Sequence, residues 1–405
     1  MRVRRLREQL DQIPGALLDL PPPTGASGDE EGVVGSTVHS PDRTLYSEPG
    51  DAFSAMPEDR EGGPDDDTFD PVFEWGADSE ETIRRLGDAA GEEIRKSVEV
   101  ASGSDALGHY LSFHVRGAQW GATVKASGVA WLATRFFNTL PADDLTRARL
   151  AFHAILQHEL FHFATDVAVS QAELGQRQAW WRPAVEARRA RGEPYSHREE
   201  RLANVWMLRA FRTALPGYQV RGKQAALKAF VGIQPEGYRD ALTFEAHHWD
   251  ADLRKLLFEY AQNAGCQHDN PLLWGEYDWA CQFPVRPRID WRNCAIHFMD
   301  DSARFGIPPG WLTFLSSLQA IDESDKFLRQ LAKLGKPQQE RWRVAKQRAM
   351  STLTTGHDFK PWPKGGKDVW SLRIDRAFRA HLQRDRVNDR WIALEIGSHG
   401  AMGHD

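Results

Sequence analysis

His158 and His162 stand four residues apart in the run His158-Glu159-Leu160-Phe161-His162. On a helix, residues four apart share a face one turn apart, so the two imidazoles can point at one ion. Glu159 is rotated by about 100° from His158 and stands beside that ion rather than on it. Zinc lowers the pKa of a bound water toward about 7, and a neighbouring carboxylate can take the proton as the hydroxide attacks a peptide carbonyl. The chemistry implied is metal-assisted hydrolysis, with Glu159 as general base and Zn2+ as cofactor. The flanking residues Ile155, Leu156, Leu160, Phe161 and Phe163 are apolar, which predicts a buried helix. Two histidines and a glutamate buried together need partners, and a metal supplies them.

A catalytic zinc takes three protein ligands and keeps one position open. Position 168, where a metzincin has its third histidine, is Ala168, and Thr165 stands where that pattern has glycine. The better source is the next strongly helical segment, Glu199-Glu200-Arg201-Leu202-Ala203-Asn204. Its first turn offers two carboxylates, Glu199 and Glu200, one of which can reach across to the two-histidine helix; for Glu199 the other reading is a solvated charge that favours the helix dipole. The small Ala203 allows close helix approach, and Asn204 offers a hydrogen bond to a loop or ligand. Asp166, one turn past His162, reads as a carboxylate that orients His162; a third ligand and an exposed charge are its other readings. Glu173 is a weaker candidate ligand. A donor for the developing oxyanion is usual in such sites, and His247, His248, Tyr218 and Tyr238 are all available. His153, five residues before His158, falls off its face and reads as structural.

His-Glu-x-x-His followed by Glu-x-x-Ala-Asn resembles the ImmA/IrrE family of bacterial metallopeptidases, a gluzincin type, over roughly residues 105–215. The resemblance implies a helical zincin-like domain with a small sheet, Glu200 as third zinc ligand, a cytoplasmic location, and a protein substrate such as a repressor or regulator.

The elements that must position these residues follow from periodicity. Residues 79–101 carry Ile83, Leu86, Ala90 and Ile94 on one face and read as helix. Strand-like runs at 110–115 and 120–125 read as a hairpin, which can bind extended substrate by strand addition or serve only as scaffold. A helix is expected at 129–138, and another from a cap at Asp143 or Asp144 to about Val169. Residues 198–214 and most of 223–262 read as helical, with one strand at 295–299. The fold class expected is α+β: a metallopeptidase domain over 79–310 and a small α+β domain over 311–405. The latter is read as two helices, 311–334 and 337–352, then strands near 369–374, 378–384 and 390–396. Residues 1–78 read as a mostly disordered acidic segment, because 21–80 are rich in Pro, Gly, Ser and acidic residues without hydrophobic periodicity.

Charge is unevenly distributed within the net −6. Residues 1–100 hold 10 Lys/Arg against 24 Asp/Glu, and residues 326–405 hold 17 against 8. The basic tail is suited to phosphate or to an acidic surface, the acidic segment included. Its helix-helix-strand-strand-strand order, with Val369 to Arg373 and Trp391 to His399, resembles RelE/ParE-type toxins. That resemblance implies RNA or ribosome contact through Arg373, Arg379 and His399, either as an RNase or as a binding or docking module. Trp362 and Trp370 are suited to base stacking or to a core. The alternative function is therefore a toxin-like RNA-binding or RNase protein with a regulatory or self-processing zinc domain. No apolar run approaches the roughly 18–20 residues of a membrane span, so no membrane partner is expected. The N-terminus lacks the apolar core of a secretory signal. The three cysteines, Cys266, Cys281 and Cys294, are widely spaced and odd in number, which fits a reducing cytoplasm rather than a disulfide framework.

Overall fold

The computed structural model describes residues 3–19, 35–39, 72–75, 78–116, 119–193, 196–213, 220–244, 249–264, 294–309, 312–315, 318, 320–351, 359–365, 369–375, 377–385, 390–398 and 400–403. The fold is α+β. Two compact units divide it, Met1–Arg60 with Gly76–Trp311, and Glu61–Trp75 with Leu312–Asp405.

The first unit begins with α1 (Val3–Leu10) and β1 (Leu18–Asp19); β2 (Gly35–His39) follows. Strand β3 (Val72–Trp75) belongs to the second unit. The first unit resumes with α2 (Ser79–Ala89), α3 (Gly91–Ser97), a π-turn at Val98–Ser102 and a 3-10 turn at Gly103–Ala106. Then come β4 (Gly108–Leu111), β5 (Val115–Arg116), β6 (Gly121–Lys125), α4 (Ala126–Arg135) and α5 (Asp144–Gln176). The remaining elements are α6 (Trp181–Ala190), α7 (His197–Thr213), α8 (Lys223–Gly232), a 3-10 turn at Arg239–Thr243, α9 (Trp249–Asn263) and β7 (Ile296–Met299).

Helix α5 is the spine of this unit. Its 33 residues span about 50 Å at the standard rise. Asp143 caps it, accepting from the Thr146 amide at 2.6 Å. Arg177 ends it in the left-handed region, with φ 55°. The helix packs against α4, α7, β4 and β6. Its faces bury Leu156, Leu160, Phe161 and Phe163, with Leu202, Val205 and Trp206 buried on α7. Burying side chains of this size stabilises by roughly 1.5–3 kcal/mol each. The sheet beside it runs in the order β2-β7-β6-β4. Of the expected hairpin the second run is β6, but the first is displaced: the antiparallel partner of β6 is β4, while Val115 and Arg116 form β5 and pair with β1 instead. Among the described residues β4 is an edge strand of this sheet. Strand β6 runs parallel to β7, Ala122 opposite Ile296.

The N-terminal segment is more ordered at its start than its composition predicts. Leu6, Leu10, Ile13, Ala16 and Leu17 are buried, and β1 pairs in parallel with β5. A helical stripe of apolar residues sits among the arginines here, and charge content masked it. Residues 20–34 and 40–71, the core of the expected disordered segment, lie outside the described residues.

In the second unit, β8 (Leu312–Leu315) pairs with β3. It is followed by β9 (Ile321–Glu323), α10 (Asp325–Lys333), α11 (Lys336–Ser351), β10 (Lys360–Pro361), β11 (Val369–Arg373), β12 (Phe378–Asp385) and β13 (Arg390–Ser398). The helix expected over 311–334 begins only at Asp325, with β8 and β9 before it. Ser324 starts the real helix by accepting from the Phe327 amide at 3.2 Å, and the apolar residues before it serve strands instead. The sheet order is β10-β11-β12-β13-β9, antiparallel except for β9 beside β13. Phe327, Trp342, Trp370, Leu372, Leu382 and Trp391 form its core. Among the described residues no helix is long and apolar enough to cross a membrane.

Candidate metal centre

The two imidazoles on α5 face each other, with Nε2 of His158 3.3 Å from Nε2 of His162. Helix α7 delivers Glu200, whose Oε2 lies 3.2 Å from the first Nε2 and 3.5 Å from the second. A fourth donor arrives from the 3-10 turn before β4: Asp105 Oδ1 is 3.3 Å from His158 Nε2. These four donors lie within 4.8 Å of one another and could hold a metal ion. Tetrahedral ligands at zinc distances of about 2.0–2.1 Å stand about 3.3–3.4 Å apart, and the four separations above match that edge length.

Both rings are held from behind. His158 Nδ1 sits 3.0 Å from Asn204 Oδ1. The Asn204 amide nitrogen donates to Gln234 Oε1 at 2.8 Å and to the Tyr238 carbonyl at 3.0 Å, which fixes its oxygen toward the ring. His162 Nδ1 sits 3.0 Å from Glu199 Oε1, and the other Glu199 oxygen accepts from Tyr260 Oη at 3.0 Å. An acceptor behind each ring places the proton on Nδ1 and turns the Nε2 lone pairs toward each other. Two lone pairs and two carboxylates so close repel unless a cation lies between them. Asp105 Oδ1 and Glu200 Oε2 are buried and face no hydrogen-bonding group other than the two imidazole Nε2 atoms, as atoms reserved for a metal would. The donor set fits a divalent cation.

Burial opposes charge on His158, but the facing oxygens of Asp105 and Glu200 outweigh it and raise its pKa to about 9: the acidic pocket draws positive charge to this position, a proton on Nε2 or a cation in its place. Burial also works against the Glu200 carboxylate, yet the charge on His162 and hydrogen bonds from both rings bring it down to about 2. Glu159 behaves differently. Burial, then the charge on Asp105, pushes it up to about 8. Both its oxygens are buried without a hydrogen-bond partner. A cation held between the four donors would favour its ionised form, and the carboxylate would then be a proton acceptor.

Close backbone approach positions Glu159. A Cβ at Gly108 would lie 2.7 Å from the Ile155 side chain and 3.1 Å from Glu159 Oε1, so only glycine lets β4 run this near α5. Gly103 sits at φ +49° against the Tyr238 ring and starts the turn that presents Asp105.

No family model, curated protein or solved structure matches the chain. The site's assignment therefore rests on its own geometry.

The structure brings together His158, Glu159, His162 and Glu200, and places Glu199 behind His162, outside the group of facing donors and out of solvent. Asp166 does not orient His162. It is 3% exposed, and its Oδ2 accepts from Tyr110 Oη, Ser112 Oγ and the Phe113 amide. Its Oδ1 lies 2.6 Å from His114 Nδ1. Glu173 holds the other side of that ring, 2.8 Å from Nε2, and accepts from the Trp180 and Trp181 amides. Asp166 and Glu173 thus clamp His114, which stacks between Phe113 and Trp181. Burial opposes the His114 charge, but Asp166 and Glu173 raise its pKa to about 9. His153 is buried at 3% exposure and is not among the metal-facing donors.

Of the expected oxyanion donors, Tyr238 stacks over His158 with centroids 6.2 Å apart and donates to Asp105 Oδ2 at 3.2 Å. His247, His248 and Tyr218 lie outside the described residues. Asp105 was not legible in the sequence, being one acidic residue among many 53 positions before His158. The turn signal Gly103-Ser104-Asp105 before a strand was its only local mark.

In the second unit, Arg379 is only 4% exposed and its Nη1 reaches Ser371 Oγ at 3.4 Å. A guanidinium buried there does not meet a phosphate at the surface. Arg373, half-buried, donates to the Asp375 carbonyl, and His399 lies outside the described residues. Trp370 is core, stacked on Phe359, and Trp362 stacks on His381 with centroids 5.1 Å apart. Of the cysteines, Cys294 is buried and free, burial raising its thiol well above the ordinary range; Cys266 and Cys281 lie outside the described residues.

Proposed function

We propose that the first unit is a zinc-dependent endopeptidase of the gluzincin type, similar to the ImmA/IrrE family and with a zincin-like fold, acting on a protein substrate in the cytoplasm. The observation that carries the reading is one arrangement. Donor atoms of His158, His162 and Glu200 stand at tetrahedral-edge separations, beside a buried glutamate with no partner of its own.

Zinc held there supplies Lewis acidity, which polarises a peptide carbonyl and acidifies water. The chain's own residues do the rest. Asn204 and Glu199 keep the rings in the tautomer that presents Nε2 inward. Glu200 remains ionised and balances the metal's charge. Glu159, buried beside the donor set with neither oxygen hydrogen-bonded, would be ionised by the metal's charge, accept the proton of the attacking water at a carboxylate oxygen and return it to the leaving amine. The edge strand β4 lies beside Glu159 and has one side unpaired among the described residues, which supports extended substrate binding by strand addition.

The test is hydrolysis of an unfolded general substrate such as β-casein by the purified chain. Wild type cleaves, a chelator stops cleavage, and added zinc restores it. Glu159→Gln keeps zinc and loses at least about 100-fold in rate, the contribution of a general base. Cleavage that survives both chelation and Glu159→Gln would refute the assignment.

A further inference from the structure

A catalytic zinc keeps one coordination position open, whereas four protein donors converge here. The fourth is Asp105. Its Oδ1 stands 3.3 Å from His158 Nε2, the same edge length that relates the other three donors, and it is buried and faces no other hydrogen-bonding group. Its second oxygen is held by the Tyr238 hydroxyl at 3.2 Å. Four protein donors within 4.8 Å of one another are enough to fill a tetrahedral ion's shell, and with Asp105 bound no vertex is left for water.

Asp105 differs from the other three in how it is mounted. His158 and His162 project from the middle of α5, and Glu200 from the first turns of α7. Their side chains are 0%, 11% and 6% exposed, whereas that of Asp105 is 34% exposed. Asp105 lies in a four-residue 3-10 turn that follows a π-turn, and the turn enters through Gly103 at φ +49°. Lys125 Nζ tethers the carbonyls of Asp105 and Ala106, which anchors the backbone and leaves the carboxylate to move by side-chain rotation. Three ligands are rigid and buried, and the fourth is at the solvent edge on a short turn.

We propose that Asp105 is a displaceable fourth ligand, a carboxylate latch that closes the metal centre at rest and leaves the metal when substrate or an activating partner enters. This inference rests on the zinc reading above and adds its regulation. Rotation of Asp105 away from the ion opens one vertex and at the same time releases the Tyr238 hydroxyl. That frees a hydrogen-bond donor stacked over His158, placed to meet a substrate carbonyl oxygen.

Cobalt substitution tests the latch without relying on turnover. Cobalt(II) reports coordination number in its visible absorption, and acetohydroxamate reports an open position by binding to it. Wild type, Asp105→Ala and Asp105→Asn are loaded with cobalt and titrated with acetohydroxamate, with circular dichroism confirming that each is folded. Wild type is expected to show an intense four-coordinate spectrum that acetohydroxamate changes only at high concentration. Both variants are expected to keep cobalt, show a weaker spectrum of higher coordination, and bind acetohydroxamate at least about tenfold more tightly, because the closed state no longer competes. β-Casein hydrolysis by the zinc forms of the variants is expected to rise above wild type. Identical spectra and acetohydroxamate affinities in all three proteins would overturn the latch. So would loss of cobalt from both variants, since Asp105 would then be a permanent ligand. A wild type that binds no cobalt would instead refute the metal centre itself, so the two failures are distinguishable.

Discussion

Replacing Asp166 by Asn separates two roles that a carboxylate one turn past a metal-binding histidine can play. If it oriented His162, its loss would weaken metal binding about 10- to 100-fold with little effect on folding. The structure assigns it to His114 instead, with three further donors on its other oxygen. Asn keeps the size and some of these bonds but removes the charge facing a fully buried imidazolium. Breaking one side of a buried ion pair costs about 3–5 kcal/mol, partly offset here because Glu173 still faces the ring. The expected loss is about 2–4 kcal/mol, a large share of the roughly 5–15 kcal/mol that stabilises a domain. Urea unfolding followed by circular dichroism at pH 7 measures it, and competition with a fluorescent zinc chelator measures metal affinity on the folded variant. The expected outcome is a large stability loss with zinc affinity within about threefold of wild type, well short of the drop that loss of an orienting group causes. A tenfold or greater loss of zinc affinity with stability intact would refute the assignment.

The same clamp gives the chain a pH dependence. The folded pKa of His114, about 9, lies above the ordinary value of 6.5. Its contribution, roughly 3 kcal/mol, is therefore fully present below pH 6.5 and is lost as pH rises through about 9. Urea midpoints at pH 6.5 and 9.5 should differ in wild type and converge in His114→Gln; equal slopes in both would contradict the clamp. Glu199→Gln leaves both oxygens' positions to a neutral amide and should weaken zinc binding about 10- to 100-fold, read by the same chelator competition, with no change denying its role behind His162. Gly108→Ala forces β4 away from Ile155 and Glu159, and should cost about 1–3 kcal/mol in unfolding experiments while lowering peptidase activity with zinc content unchanged. A fully active and stable variant would show that the close approach is not needed.

The helix that carries His158 and His162 was the most legible part of the chain, because its pattern is local. Spacing alone puts His158 and His162 on one face, and apolar neighbours bury them. Helix α7 was legible for the same reason, and its three useful side chains, Glu199, Glu200 and Asn204, fall within six positions. The roles of those three were not, since Glu199 and Glu200 are adjacent and only packing decides which faces the two imidazole Nε2 atoms. Asp166 was misplaced because helical phase puts it near His162 in direction, whereas the hydrogen bonds that hold it come from residues 110–114, more than 50 positions away. Asp105 could not be found from periodicity, since it stands on a turn whose position depends on how β4 packs against α5. In the second unit the late strands were readable from their alternation. The stretch before Ser324 was not, because the pairings of β8 with β3 and of β9 with β13 join distant segments, and a run of apolar residues does not show its partner.

Elemental analysis of the purified chain tests the central claim most directly, with His158→Ala and Glu200→Gln prepared beside it. About one zinc per wild-type chain, with little or none in either variant, is the predicted result. A wild type free of metal after zinc supplementation and desalting, or variants that retain it in full, would contradict the account.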